Sequence, residues 1–294
     1  MKALTSKPPS LRTEPRQPLI SFRRSPAPVP QMRLIILGSG STGNSLYIEA
    51  GETSVLIDVG LSARETARRM TQAGLDPARV NAIVVTHEHS DHVRGVGVFA
   101  RTAEVPVFIS PATRDQCRFA QDEDLPWGES ISSGRSFQIG SLDLHPFTIP
   151  HDGVDTVAFT VESAGVKIGM VTDLGYITQL VAEHLRGSDV IILESNHDRE
   201  MLKTGPYPWA VKQRIASNLG HVSNDETARY LREDFDGCAR WIVLAHLSRQ
   251  CNHPQLARLA AVRALYSRGP LFFSDADERV KVAPPDRPSE WFEL

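Results

Sequence analysis

Thr86-His87-Glu88-His89-Ser90-Asp91-His92 places four side chains able to ligate a divalent cation, His87, His89, Asp91 and His92, within six residues. Imidazole nitrogen and carboxylate oxygen suit zinc and related ions. The segment follows an apolar run, Ala82–Val85, and precedes a helical pattern. Four donors in so short a span crowd a single cation. A strand-to-helix loop can instead aim them at two neighbouring centres. His87 and His89 alternate as strand residues do and can share one cation. Asp91 and His92, at the helix entry, can share a second. The bland reading is a polar loop with satisfied histidines, and HxHxDH spacing after a buried strand weighs against it.

Two centres need more ligands, and strand ends supply them. His151 follows Phe147-Thr148-Ile149-Pro150, Asp173 follows Ile168–Val171 and Thr172, and His246 follows Ile242–Ala245. Each lies just past the carboxyl end of a β run, where sheet architectures place their sites. Any one alone is an ordinary polar residue; the three together are not. Two divalent ions per chain are the cofactors expected. Zn²⁺ comes first, and Mn²⁺ or Fe²⁺ suits the same donors. Such a pair brings the pKa of a shared water close to neutrality and stabilises charge on the attacked centre. The nucleophile is then a hydroxide, and no Ser or Cys is required. Asp91 is placed to orient that water and take up its proton. His145, His184 and His253 lack ligand spacing.

The elements that must position these residues form a mixed α/β (α+β) pattern. Leu34–Leu37, Ser45–Glu49 and Ser54–Asp58 read as strands joined by a Gly/Ser loop and a turn at Gly51. Ser62-Ala-Arg-Glu65 is a capping box that opens a helix toward Gly74. Ala82–Val85 and Val105–Ile109 read as strands, with a helix from Pro111 after the second. Ser141–Thr148, Thr156–Ser163 and Val166–Val171 form a meander. Val190–Leu193 and Trp241–Ala245 are strands, and Pro208–Asn218, Asn224–Glu233 and Pro254–Tyr266 are helices. Paired β runs followed by βα units occur twice, which predicts sheets packed face to face with helices outside.

The 294 residues are 41% hydrophobic and 23% charged, enough for a self-sufficient core. No apolar run is long enough to cross a membrane, and no apolar signal segment opens the chain. Cys117, Cys238 and Cys251 are odd in number and widely spaced. They fit a reducing, cytoplasmic setting and exclude a disulfide framework or a CxxC zinc site. Residues 1–31, rich in Pro, Ser and Arg, read as a disordered basic leader. Met32 offers an alternative start for a hydrolase domain spanning 32–294. The leader sets six basic side chains against Glu14, a net +5, which leaves −8 for the rest of the −3 chain. An acidic body rules out a global electrostatic footprint for nucleic acid, though not a local basic groove.

His87-x-His89-x-Asp91-His92 followed by His151, Asp173 and His246 resembles the multi-part signature of the metallo-β-lactamase superfamily. The match covers residues 33 to about 280. The resemblance implies a four-layer αβ/βα sandwich with the metals at one edge of the sheets. It also implies that His87, His89 and His151 bind one metal, that Asp91, His92 and His246 bind the other, and that Asp173 bridges. Asp58, in Leu56-Ile57-Asp58-Val59-Gly60, resembles the first motif, a buried carboxylate behind the ligands.

Further segments bear on substrate. Gly38-Ser-Gly-Ser41-Thr-Gly-Asn44-Ser45 is a loop whose backbone N–H groups can approach an anion; a plain turn is the competing reading. Glu194-Ser195-Asn196-His197-Asp198 clusters more polar groups than a turn requires. Tyr207 and Trp209, in Gly205-Pro-Tyr-Pro-Trp209, can stack on a base or serve as core aromatics. Ser223-Asn-Asp-Glu226 is a capping box. It puts His221 before a helix N-terminus, where it can bind or protonate a phosphate oxygen.

With Leu244-Ala-His-Leu-Ser-Arg-Gln-Cys-Asn252, these segments resemble the YycJ/WalJ branch. That branch implies a 5′→3′ exonuclease acting on double-stranded DNA, with a role in DNA mismatch repair. Asn44, Ser41, Asn196 and Ser223 are then candidate substrate or supporting residues, and Asp91 and His221 the catalytic candidates. No long insertion separates Asp173 from His246, so a clamp domain like that of RNase J is not expected.

Two other classes compete. A small-molecule hydrolase acting on a thioester, lactone or cyclic phosphate needs a closed apolar pocket. A DNA nuclease needs a groove lined by Lys212, Arg214, Arg249 or similar. A non-catalytic binding protein on the same scaffold fits poorly with an intact ligand set.

Overall fold

Alternation along the strands sorts the apolar side chains into three layers of core. The computed structural model describes residues 32–122, 124–269 and 271–294. The leader read at residues 1–31 lies outside them. The first sheet contains β1 (Arg33–Gly38), β2 (Ser45–Ala50), β3 (Thr53–Ile57), β4 (Ala82–Val84) and β5 (Val107–Phe108). The second contains β6 (Phe137–Ile139), β7 (Leu142–Thr148), β8 (Val157–Ser163), β9 (Val166–Val171), β10 (Val190–Glu194), β11 (Trp241–Ala245) and β12 (Val280–Val282). A last strand, β13 (Phe292–Glu293), returns to pair with β1. The orders are β13-β1-β2-β3-β4-β5 and β12-β11-β10-β9-β8-β7-β6.

Each sheet joins an antiparallel meander to a parallel βα half. β3, β4 and β5 are parallel, as are β9, β10, β11 and β12. β7 and β9 both run antiparallel to β8, so they point the same way. The carboxyl ends of β7, β9, β10 and β11 therefore share one edge.

Leu34, Ile36, Val55 and Val84 face Phe159, Ile168, Ile192 and Val243 between the sheets. Each fully buried Leu or Ile there contributes roughly 1.5–3 kcal/mol. The helices of the first half are α1 (Ala63–Gln72), α2 (Ser90–Val93), α3 (Val96–Ala103) and α4 (Pro111–Gln116). α1 and α3 cover the outer face through Met70, Phe99 and Ala100 against Leu37, Leu56 and Ile83. The second half adds α5 (Gln179–Leu185), α6 (Arg199–Thr204), α7 (Trp209–Ile215), α8 (Asn224–Glu233) and α9 (Pro254–Ser267). α5, α8 and α9 bring Val181, Leu231 and Leu265 onto Ile191, Leu193 and Leu244. The expected four-layer αβ/βα sandwich is what forms.

The two capping boxes work as read. Ser62 Oγ accepts from Glu65 N–H, and Ser223 Oγ from Glu226 N–H, each at 3.2 Å. The strand expected at Val105–Ile109 shrinks to β5. Helix α7 ends at Ile215, short of Asn218, because Ile215 O accepts from His221 N–H at 2.9 Å and turns the chain. Two helices, α5 and α6, have no counterpart in the sequence reading. Both are under two turns, with caps at Thr178 and Asp198.

Candidate metal centre

The candidate ligands sit at the shared edge because strands end there. Asp58 directly follows β3, His87 lies three residues past the end of β4, Asp173 two past β9, and His246 directly follows β11. Asp58, Asp173 and His246 adopt positive φ of 60°, 60° and 54°. Such a conformation costs roughly 1–3 kcal/mol in a residue with Cβ and persists where the surroundings enforce it. Asp58 N–H is bonded to Val84 O at 2.9 Å, and His246 N–H to Ser39 Oγ at 2.7 Å. The HxHxDH loop docks on Gly60, where a Cβ would lie 1.6 Å from Asp91 O. That approach lets Asn44 N–H reach Asp91 O at 2.8 Å and Val59 N–H reach His92 O at 3.0 Å.

His87, His89 and His151 form the first donor set. His89 Nδ1 lies 3.1 Å from His87 Nε2 and 3.2 Å from His151 Nε2. Tetrahedral nitrogen ligands of Zn²⁺ stand roughly 3.3 Å apart. Hydrogen bonding fixes which nitrogens face inward. Thr86 Oγ donates to Asp58 Oδ2 at 2.8 Å, so it accepts from His87 Nδ1–H at 3.0 Å. His151 Nδ1–H donates to Gly220 O at 3.3 Å. Both Nε2 atoms are left bare toward the centre. Burial, with neighbouring His92, drives the pKa of His87 well below its ordinary value. Burial also lowers that of His151.

Asp91, His92, Asp173 and His246 form the second set. His92 Nδ1–H donates to Asp58 Oδ2 at 2.7 Å, and Nε2 faces Asp173 Oδ2 at 3.1 Å. His246 Nδ1–H donates to Glu194 Oε1 at 2.7 Å, and Nε2 lies 3.4 Å from Asp91 Oδ2. Carboxylate partners on outer nitrogens are how proteins orient metal-binding imidazoles. Asp173 Oδ2 is buried and lacks a donor whenever the facing His92 Nε2 carries no proton. A buried carboxylate oxygen without a donor is costly, and a cation between the two sets relieves that cost. The donors present therefore fit divalent metals. Burial opposes the charge of His92 and His246, but Asp173 outweighs it, with Asp58 beside His92 and Asp91 and Glu194 beside His246. Both are held well above the usual histidine range. Burial likewise opposes ionisation of Asp91, yet the His246 bond and His92 hold its carboxyl down to about 2.

Glu194 is the residue that spacing alone did not single out. Fully buried at the end of β10, it accepts from His246 Nδ1–H at 2.7 Å, His221 Nδ1–H at 2.8 Å and Leu174 N–H at 3.0 Å. It lay in the Glu194–Asp198 cluster, and its strand-end position matches those of Asp173 and His246. Burial opposes a charge on His221, but Glu194 prevails and raises its pKa. Glu194→Gln keeps the volume and removes the charge. It is expected to weaken metal affinity 10- to 100-fold, as loss of such a partner commonly does. Competition with a chromophoric chelator measures this, and an affinity equal to wild type would refute the role.

The other expected residues divide. Asn44 reaches His92 Nε2 at 3.0 Å and Asp91 Oδ2 at 3.3 Å, and Asn196 Nδ2 donates to His246 O at 2.8 Å. Ser223 caps α8 and accepts from Arg199 Nε at 3.2 Å. Ser41 is exposed, and the loop hydroxyl that reaches the site belongs to Ser39. Of the groove candidates, Lys212 lines a cavity beside His221. Arg214 is tied to Asp152 at 2.6 Å, and Arg249 lines a separate hollow next to Ser39.

The sequence pattern of the β-lactamase superfamily domain matches residues 53–246. Exodeoxyribonuclease YycJ of Bacillus anthracis is 35% identical over 80% of this chain and 89% of its own. The chain belongs to the YycJ/WalJ family of the metallo-β-lactamase superfamily. The family's exodeoxyribonuclease WalJ of Streptococcus pneumoniae is 33% identical over 78% of this chain and 87% of its own. The metallo-β-lactamase fold protein YhfI of Bacillus subtilis superposes with a TM-score of 0.66 over 90% of this chain and 99% of its own, at 17% identity. As a member of the YycJ/WalJ family the chain is a hydrolase, and its His/Asp clusters suit divalent metal ions. No helix among the described residues is long and apolar enough to cross a membrane.

Proposed function

We propose that this chain is a dinuclear metal-dependent nuclease, with residues 32–294 as its catalytic domain, that removes nucleotides from duplex DNA in the 5′→3′ direction. The observation that carries the reading is the convergence of seven side chains, His87, His89, Asp91, His92, His151, Asp173 and His246, in two adjoining donor sets. Similarity to two exodeoxyribonucleases supports the choice of substrate, and from the family it extends to DNA mismatch repair. His87, His89 and His151 would hold one ion and Asp91, His92 and His246 the other, with Asp173 available as a further donor; Zn²⁺ or Mn²⁺ would suit this set. Bound there, divalent ions supply Lewis acidity and an acidified water.

The chain's own groups do the rest. Asp91 orients the attacking water and accepts its proton. His221, with Nδ1 committed to Glu194 at 2.8 Å, presents Nε2 to the phosphate or the leaving oxygen. Asn44 and Asn196 steady Asp91 and His246.

The test supplies purified protein and Mn²⁺ or Zn²⁺ with end-labelled duplex DNA, single-stranded RNA, a thioester and a lactone. Release of nucleotides from the 5′ end of DNA is expected, with KM rising steeply with salt. Turnover of the thioester or lactone beside inert DNA would reverse the reading.

A further inference from the structure

Helix α7 reaches the metal centre without an apolar anchor. No side chain from Pro206 to Leu219 is buried. The position of this segment therefore depends on polar ties, and two of them lead to imidazoles of the first donor set. We propose that Asp152 is a positioning residue for His89, and that through Arg214 it couples the placing of α7 to an ion held by His87, His89 and His151. The proposal rests on the metal-binding reading and adds the path by which that ion is felt outside its ligands.

The outer nitrogens of the ligand rings give the first argument. Thr86 Oγ serves His87, Gly220 O serves His151, Asp58 serves His92 and Glu194 serves His246. His89 is the remaining imidazole of the two sets. It points Nδ1 inward, and its Nε2 faces Asp152 Oδ1 at 3.6 Å. The same oxygen stands 3.4 Å from His151 Nε2. An ion that takes His151 Nε2 and His89 Nδ1 leaves the proton of His89 on Nε2, toward the carboxylate. Asp152 then closes on that N–H, as carboxylates do behind metal-binding imidazoles.

The second argument is how Asp152 is held. Val154 N–H donates to Glu88 Oε1 at 3.0 Å, which pins the loop after His151 to the segment that carries His87 and His89. Gly153 keeps that loop tight, since a Cβ there would lie 2.3 Å from Thr156 Oγ1. On the other side Arg214 Nε donates to Asp152 Oδ2 at 2.6 Å. An exposed ion pair contributes little by itself, and the Arg214 side chain is 59% accessible. This pair differs because its carboxylate also faces two ligand rings, so an ion on those rings fixes the group that Arg214 grips. The far end of the segment carries the other tie, His151 Nδ1–H to Gly220 O at 3.3 Å. With both attachments referred to first-set imidazoles, an ion that orders the rings orders α7. By linkage, a loosened α7 weakens the ion by the same factor.

The experiment combines chelator competition for Zn²⁺ with amide hydrogen exchange, both on the full chain. In the wild type, Zn²⁺ should slow exchange across residues 205–220. Arg214→Ala should lower the affinity of one ion roughly tenfold, the weak end of the range for such partners, and leave the other unchanged. It should also remove most of the Zn²⁺-dependent slowing. The position is exposed and helical, and alanine is the best helix former, so the fold is kept. Arg214→Lys should restore most of the affinity, and Asp152→Asn should equal or exceed the loss in Arg214→Ala. Glu194→Gln should weaken the other ion instead. Wild-type affinity for both ions in Arg214→Ala, or exchange across 205–220 indifferent to Zn²⁺, would end the coupling and leave the metal centre standing. Loss of one ion in Asp152→Asn, with no effect of Arg214→Ala, would make Asp152 a ligand and overturn the tie. If Zn²⁺ binds at neither set, the metal-binding reading falls and takes the coupling with it.

Discussion

Asp91→Asn is expected to lower kcat on end-labelled duplex DNA by roughly 10²- to 10⁴-fold, the usual weight of a positioned general base. The substitution preserves shape and removes the proton acceptor and one ligand charge. Asp91 is suited to this double role by its exposure. Its side chain is 19% accessible, whereas that of Asp173 is 3% accessible. It therefore borders both the donor set and the solvent from which substrate arrives. Asn44 Nδ2 lies 3.3 Å from Asp91 Oδ2, so an asparagine there can present its amide oxygen to the same donor. The fold should survive, and metal content measured alongside kcat separates the two losses. A chain with full metal and depressed kcat has lost the base. A chain with less metal and proportionate activity has lost a ligand. Full activity with full metal would remove Asp91 from the mechanism.

His87, His151, Asp173 and His246 were legible in sequence as candidate donors because each lies shortly past the end of an apolar strand. The positions after Val171 and Ala245 are read from the pattern alone, and the fold gathers them because parallel strands end together. Glu194 was harder. Its partner His246 is 52 positions away, and the two meet only because β10 and β11 pair with Glu194 opposite Ala245. A carboxylate ending a strand is common; only the register makes this one a partner of two imidazoles. Ser39 and Ser41 show the limit at finer scale. Both lie in the same Gly/Ser loop, and composition cannot tell which hydroxyl turns inward. Positive φ at Gly40 and Gly43 decides it, leaving Ser39 buried and Ser41 in solvent. The missed helices α5 and α6 are too short for a repeating apolar face, so caps at Thr178 and Asp198 were their main signal.

The two donor sets should answer pH differently, and this separates them without a substrate. In the cation-free protein the inner nitrogens of His92 and His246 compete for a proton or a metal. Their pKa values lie well above the ordinary histidine value because nearby carboxylates outweigh burial. Both inner nitrogens therefore keep a proton to higher pH than an ordinary histidine does, and a divalent ion entering the second set must expel those protons. Affinity there should rise with pH until the raised pKa values are passed and then level off. With one proton lost from each imidazole, the gain approaches about 100-fold per pH unit on the steep part. In the first set, burial has pushed His87 and His151 below their ordinary value, so neither holds a proton that a metal must expel at neutral pH. Affinity there should stay nearly flat. Chelator competition from roughly pH 6 to 8, the range in which histidine ligands titrate, should resolve one pH-flat and one pH-steep ion. Calorimetry in buffers of different protonation enthalpy should find proton release with only one of them. Asp58→Asn removes the carboxylate 2.7 Å from His92 Nδ1. It should lower that ring's pKa and reduce the steep slope toward a single proton, even as overall affinity falls. Two ions with the same pH slope, or a slope unmoved by Asp58→Asn, would mean that these carboxylates do not hold the protons the second metal has to displace.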